Sequence, residues 1–273
     1  MRKTSDVNEL AAIAERMRRT AIEMITEAGS GHPGGSLSVA EILVTLFFDT
    51  MHHDPANPKW PDRDRFILSK GHCCPILYAV MAACGYCPAD QLMTLRKLGS
   101  PYQGHADMRF LPALEASTGS LGQGLSLGLG MALAARLNGT RSRTYVVLGD
   151  GEIQEGQIWE AAMFASFHRV DNLTAIVDYN KIQLDGFVKD IMELEPLADK
   201  WRGFGWHAIE IYGHDIAALQ SALGEATSMQ ARPTCILAHT IKGKGVSFME
   251  NNPKFHGMAP TREECARALA ELQ

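Results

Sequence analysis

Thr144-Tyr145-Val146-Val147-Leu148-Gly149-Asp150-Gly151 and, further along, Leu173-Thr174-Ala175-Ile176-Val177-Asp178-Tyr179-Asn180 decide the fold. Each opens as a short apolar run rich in β-branched residues, the composition of a buried strand. Each closes on polar residues, Asp150 between two glycines in the first and Asn180 in the second. A helix is expected between them, over about Gly156 to His168. The thirty residues from Asp150 to Asn180 match one strand–helix–strand unit. Strands joined in this way run parallel, so Asp150 and Asn180 should emerge side by side at one sheet edge. In open α/β sheets that edge is where ligands sit.

The same alternation extends to both sides. Arg65 to Ser69 reads as a further strand, as do His207 to Ile211 and Thr234 to Ala238, with a helix at Ile216–Ser228 between the last two. Near the start, Leu10, Ile13, Met17, Ala21, Met24 and Ala28 mark an amphipathic helix that Gly29 stops. Ser30 to Gly35 then reads as loop. Ser38 and Glu41 have capping-box spacing before a buried helix over Val39 to Phe48. The proline- and charge-rich stretch Asp54 to Arg63 reads as a surface connection. Helices are expected at about Pro75–Ala83, Pro88–Leu98 and Leu121–Leu137, and one with Ala266, Leu269 and Leu272 on one face near the end. Gly99 to Gly119 reads as a long loop of the kind that tends to carry function. The fold class is therefore α/β: a mostly parallel sheet with helices on both faces. One domain accounts for residues 1–273.

Composition narrows the function. The 273 residues are 46% hydrophobic and 21% charged, with a net charge of −5. That balance suits a packed globular core and lacks the basic face that nucleic acid demands. No apolar run approaches a membrane span; Ile42 to Phe48 is the longest compact one. The first residues lack the apolar stretch of a signal peptide, and a cytoplasmic protein is expected. Six cysteines include the pair Cys84 and Cys87 in C-x-x-C spacing. Two thiols fall short of a structural zinc site, so reduced, partly buried thiols are the expected state.

Asp150 and Asn180 together offer a carboxylate and an amide oxygen, hard ligands for Mg²⁺ or Ca²⁺. Two side chains leave an octahedral shell unfilled, and Mg²⁺ usually completes it with water and phosphate oxygens. A diphosphate co-ligand is therefore expected. Gly149 and Gly151 allow close backbone approach, the next helix offers its N-terminal dipole, and the Ile182 carbonyl is a candidate third protein oxygen. Asp-Gly alone reads as a turn; the strand before it, the helix after it and Asn180 at the next strand end tip the reading. Four further candidates, His32, His72, His105 and His256, each have glycine beside them, which permits a ligand to come close.

The run from Gly149-Asp150-Gly151 to Tyr179-Asn180-Lys181-Ile182 resembles the thiamine-diphosphate motif. More of the chain resembles the N-terminal half of the transketolase family: Ser30-Gly31-His32-Pro33-Gly34, Ser69-Lys70-Gly71-His72, Gly104-His105, Thr118 to Gly124, Gln154-Glu155-Gly156 and Phe255 to Pro260 follow in the family's order. The resemblance implies thiamine diphosphate held through Mg²⁺, with Ca²⁺ or Mn²⁺ as substitutes, at Asp150, Asn180 and the Ile182 carbonyl. It implies His72 and His256 on the diphosphate, Gly151 beneath it, and Gly119, Ser120 and Leu121 along the aminopyrimidine. His32 and His256 would face substrate, and His105 would assist proton transfer at the reacting carbon. Glu155 reads either as a helix-N-terminal charge or, by resemblance, as part of a glutamate network at the subunit interface. Lys242 and Lys244 read as an active-site loop or as solvated charges.

The implied activity is transfer of a two-carbon ketol unit from a ketose phosphate to an aldose phosphate. Within the family the pyrimidine-activating glutamate lies beyond the part matched here. A C-terminal partner subunit supplying the pyrimidine domain is therefore expected, with a homodimer of this chain inside an α2β2 assembly; a longer parent chain is the other reading. Two rivals remain. One is another thiamine enzyme, resembling 1-deoxyxylulose-phosphate synthase or a 2-oxoacid dehydrogenase E1 subunit. The other is a non-catalytic regulatory or binding subunit.

Overall fold

Helix α1 (Val7–Ala28) leads the chain, capped by the Asp6 side chain and closed by Gly29 in the left-handed conformation. Helices α2 (Pro33–Ser38) and α3 (Ala40–Thr45) follow, then strand β1 (Arg65–Leu68), α4 (Cys74–Cys84) and α5 (Gln123–Leu137). The remaining order is β2 (Thr144–Gly149), α6 (Gly156–Phe167), β3 (Leu173–Tyr179), the short α7 (Val188–Ile191) and α8 (Leu197–Gly203), β4 (His207–Tyr212), α9 (Ile216–Ser228), β5 (Thr234–His239) and α10 (Arg262–Glu271). The computed structural model describes residues 3–184 and 186–272.

The five strands form one sheet in the order β1-β2-β3-β5-β4, and every pairing is parallel. Alternation along the strands divides the core in two. Phe66, Leu68, Tyr145, Val147, Ile176 and Ile236 pack with α1, α3, α4 and α9 on one face. Ile67, Val146, Leu148, Ala175, Val177 and Leu237 pack with α5, α6 and α8 on the other. A third, smaller cluster joins Ile22 and Leu37 to Val246, Met249, Phe255, Ala268 and Leu272, and so fastens α10 beneath the segment after β5. Burial on both faces explains why the strands read as continuous apolar runs.

Four expectations need correction. Ser30 to Gly35 is loop only to His32: Pro33 opens α2, which includes Gly34 and Gly35. Proline suits a first helical position, and these residues are all buried, so packing overrides the low helix propensity of glycine. The capping box at Ser38 and Glu41 does not form. Ser38 instead donates to Asp178 Oδ2 at 2.6 Å, and Glu41 is drawn inward to Arg18 and His214. The single helix expected over Val39–Phe48 divides into α3 and a π-helical turn, Leu46–Thr50. At Pro88–Leu98 only a 3₁₀ segment, Ala89–Thr94, is present, with Arg96 at positive φ ending it.

All six cysteines are free. Among the described residues no three His, Cys, Asp or Glu side chains converge as a metal-ligand cluster, and no helix is long and apolar enough to cross a membrane.

Candidate active site

Parallel strands bring their carboxyl ends to one edge, and a cavity of about 240 Å³ lies there. β1 delivers Lys70 and His72, β2 delivers Asp150, β3 delivers Asn180 and Ile182, and β5 delivers Lys242. The loops before α2, before α5 and before α10 add His32, then His105 with Gly119 and Leu121, then His256. Asp150, Asn180, Ile182, Gly119, Leu121, Gly151 and the four histidines thus line one cavity. Ser120 and Glu155 are not among its lining; both are exposed. Glu155 sits at the N-cap of α6 without a capping side-chain bond, its stem close against Gly122.

Asp150 is 2% exposed. Its carboxylate accepts from the Gly151 N–H at 2.8 Å and from the Lys181 N–H. Burial, and then the charge of Asp178, push its pKa up to about 6. Asn180 is fixed at both ends: Nδ2 donates to Asp178 Oδ2 at 3.2 Å and Oδ1 accepts from the Ile182 N–H at 3.1 Å. Asp178 is the hub behind them. It pairs with the buried Lys70 and accepts from the Ser38 and Thr240 hydroxyls. Burial opposes its charge, yet these partners hold its pKa below the usual carboxylate range.

The histidines form a cluster. His32 has ring centroids 5.0 Å from His72, 6.2 Å from His105 and 5.6 Å from His256, and His72 lies 5.3 Å from His256. Burial comes first in lowering each pKa; like charges nearby come second. His32 falls to about 4 and His256 to about 3, so at neutral pH the cluster is uncharged. His32 Nδ1 is buried and has no hydrogen-bond partner among the described residues. A neutral imidazole without a partner, in a cavity, is ready to meet a ligand.

Two residues that the sequence left open or passed over complete the walls. Lys242 is 3% exposed and donates to the Ile182 carbonyl at 2.7 Å, with His256 Nδ1 also at 2.7 Å. Burial, then Lys70, lower its pKa to about 8. Of the two readings for this lysine, the structure selects the cavity; Lys244 is half-buried and lies 3.6 Å from Glu250. Glu152 accepts from the Gly122 and Gly149 amides at 3.0 Å each and from the Ser69 hydroxyl. It ties the Gly119–Gly122 turn to the Asp150 turn. Its only sequence signal is an acidic residue just after a strand end.

A profile of the transketolase thiamine diphosphate binding domain matches residues 10–272. The chain belongs to the transketolase family. It is 49% identical over 260 residues to a 6-deoxy-6-sulfo-D-fructose transketolase subunit of Clostridium sp. (strain MSTE9), covering 95% of this chain and 94% of that one. It is 40% identical to one subunit of the apulose-4-phosphate transketolase of Phocaeicola vulgatus, covering 97% and 94%. The transketolase of Campylobacter jejuni superposes with a TM-score of 0.93 at 32% identity, covering 98% of this chain and 43% of that chain. This transketolase-family chain therefore spans under half the length of such solved transketolases, and nearly all of the two subunit relatives.

The donor set fits the family's cofactor. A carboxylate whose pKa burial has raised is one that a neighbouring cation would hold ionised. The Gly151 cradle is tight: a β-carbon there would lie 2.5 Å from the Gln183 β-carbon, so backbone alone can form it.

Proposed function

We propose that this chain is the diphosphate-holding subunit of a two-subunit transketolase, moving a two-carbon ketol unit from a ketose phosphate to an aldose phosphate. The observation that carries the reading is the meeting of Asp150, Asn180 and four neutral histidines in one cavity beyond adjacent strands. When bound, thiamine diphosphate supplies the electron sink for breaking the bond beside the ketose carbonyl. Asp150, Asn180 and the Ile182 carbonyl would hold Mg²⁺, with Lys242 giving up part of its bond to that carbonyl. His72 and His256 donate to the diphosphate, over the Gly151 backbone. Gly119, Ser120 and Leu121 bound the aminopyrimidine side. His32 and His256 face the sugar, and His105 takes or returns a proton at the reacting carbon. Uncharged imidazoles suit these roles, because each keeps one donor and one acceptor.

Residues 1–273 are read as one diphosphate-binding domain of a cytoplasmic enzyme. Pyrimidine activation would come from a C-terminal partner subunit in an α2β2 assembly. The names of the two subunit relatives support a partner, and so does the surface: Leu127 and Leu137 on α5 and Met163, Phe164 and Phe167 on α6 are exposed, Phe167 to 82%. Two packed helices with this much uncovered apolar surface suit a protein interface. The 49% relative favours a second donor, a ketose ending in a sulfonate in place of phosphate.

Co-purification from native extract, followed by titration with thiamine diphosphate and Mg²⁺, tests the proposal. A companion with the mass of the part of a transketolase that this chain does not span, and Mg²⁺-dependent binding, are expected. Asp150→Ala with undiminished Mg²⁺-dependent binding would falsify the metal assignment. CO₂ release from pyruvate by the pair would move the chain to another thiamine enzyme.

A further inference from the structure

Behind the cavity lies a buried polar chain that touches no cavity wall directly. Arg18 on α1 donates to Glu41 Oε2 on α3 at 2.6 Å and, through Nε, to the Leu37 carbonyl of α2 at 3.1 Å. The same Glu41 oxygen lies 2.9 Å from His214 Nδ1, in the turn between β4 and α9. His214 Nε2 in turn lies 2.8 Å from the backbone N–H of Ile241. The three side chains are 4%, 8% and 4% exposed. Ile241 directly precedes Lys242, whose ammonium contacts Ile182 and His256. The segment is further pinned by Gly243 N–H to the Gly34 carbonyl at 2.9 Å, where α2 begins.

The hydrogen-bond pattern fixes the state of His214. A backbone N–H only donates, so Nε2 must carry the lone pair. The ring proton then resides on Nδ1 and is given to the Glu41 carboxylate, which Arg18 keeps paired. A neutral ring of one defined tautomer is held on one side by an ion pair and holds a loop on the other.

We propose that His214, oriented by the Arg18–Glu41 pair, is a positioning residue that sets Ile241 and thereby places Lys242 and His256 for the cofactor. The inference rests on the functional reading above for the cofactor's place. Breaking the clamp frees an amide at Ile241 and lets the Lys242 ammonium wander from the cavity and from His256, while His32 and His105, carried by other loops, stay in place. The loss should fall on cofactor affinity more than on turnover at saturation.

Three full-length variants test it, each studied by amide hydrogen exchange and by thiamine-diphosphate titration in saturating Mg²⁺ with the accompanying subunit. His214→Phe keeps a ring and removes both nitrogens. It is expected to speed exchange from Ile241 to Gly245 about tenfold, to leave β2 and β3 unchanged, and to raise the KM for the cofactor about tenfold with kcat within about twofold. His214→Gln, whose carboxamide can donate to Glu41 and accept from Ile241, should restore both. Unaltered exchange at Ile241 in His214→Phe overturns the clamp. Local loosening with unaltered cofactor KM overturns its link to the site. Faster exchange across β2 and β3 with no recovery in His214→Gln overturns it as well, since that is a defect of the whole fold. Asp150→Ala separates the two readings: undiminished cofactor binding there removes the functional reading, while the exchange data still report on the clamp.

Discussion

Asp150 shows how one side chain can be both costly and useful. Its carboxylate is buried beside Asp178, and its pKa is raised to about 6. On the proposed metal assignment, proton and Mg²⁺ would compete for it: Mg²⁺ affinity should climb as pH rises from about 5 to 7, and calorimetric titration across that range checks the slope. Replacing Asp150 by Ala should weaken Mg²⁺-dependent cofactor binding by at least about tenfold, the scale of one lost charged ligand. The meeting of Asp150 and Asn180 in one cavity was legible in advance, because both sit where adjacent strands end. Asp178 carried a signal as well, a charge inside an otherwise apolar strand. The partners of Asp178 did not. Ser38 lies 140 positions away along the chain and Lys70 108, and no spacing rule joins them. His214 was invisible for the same reason: its significance is the N–H it accepts from Ile241, 27 residues on.

Helix α5 is the element most dependent on what it lacks. At Gly128 a β-carbon would come within 2.4 Å of Val146 Cγ2, so the helix lies on β2 closer than any side chain allows. Gly128→Ala should gain up to about 1 kcal/mol in helix propensity. It should lose about 1–3 kcal/mol to overpacking. A net loss in a urea titration is the expected outcome, with unchanged stability contradicting the close approach. Helix α10 offers the opposite test, since its complete capping box joins Thr261 and Glu264. Thr261→Ala should cost about 1 kcal/mol by the same measurement. Strands and long helices were legible from periodicity alone, and Ile216–Ser228 appears with the expected ends. The helix beginning at Pro33 was not, because two glycines there fold under the pressure of packing that sequence does not display. The failed box at Ser38 has the same cause: both partners were taken by distant groups with stronger demands.

Across the whole molecule, the uncharged histidine cluster fixes the response to acid. His32 and His256 have folded pKa values of about 4 and 3, against an ordinary 6.5, and His72 and His105 are also lowered. The unfolded chain therefore binds more protons between about pH 4 and 6.5, and stability falls as pH drops through that window. Asp150 acts with the opposite sign, because its raised pKa makes the folded state take up a proton first on acidification. Glu115 and Glu152, also raised by burial, act as Asp150 does, and His53 joins the four lowered histidines; five histidines against three carboxylates leave a net loss of stability at pH 5 relative to pH 7 in chemical denaturation. His256→Gln should flatten that difference. The parallel sheet has one more consequence. Asp150, Asn180, Lys70, Lys242 and His214 follow five different strands, none of which finds its neighbour without a long crossover. A chain with any strand undocked has no complete receptacle to offer, so vitamin uptake acts as an inspection of the finished product: ligand-bound molecules are, by construction, those whose assembly has run to its end.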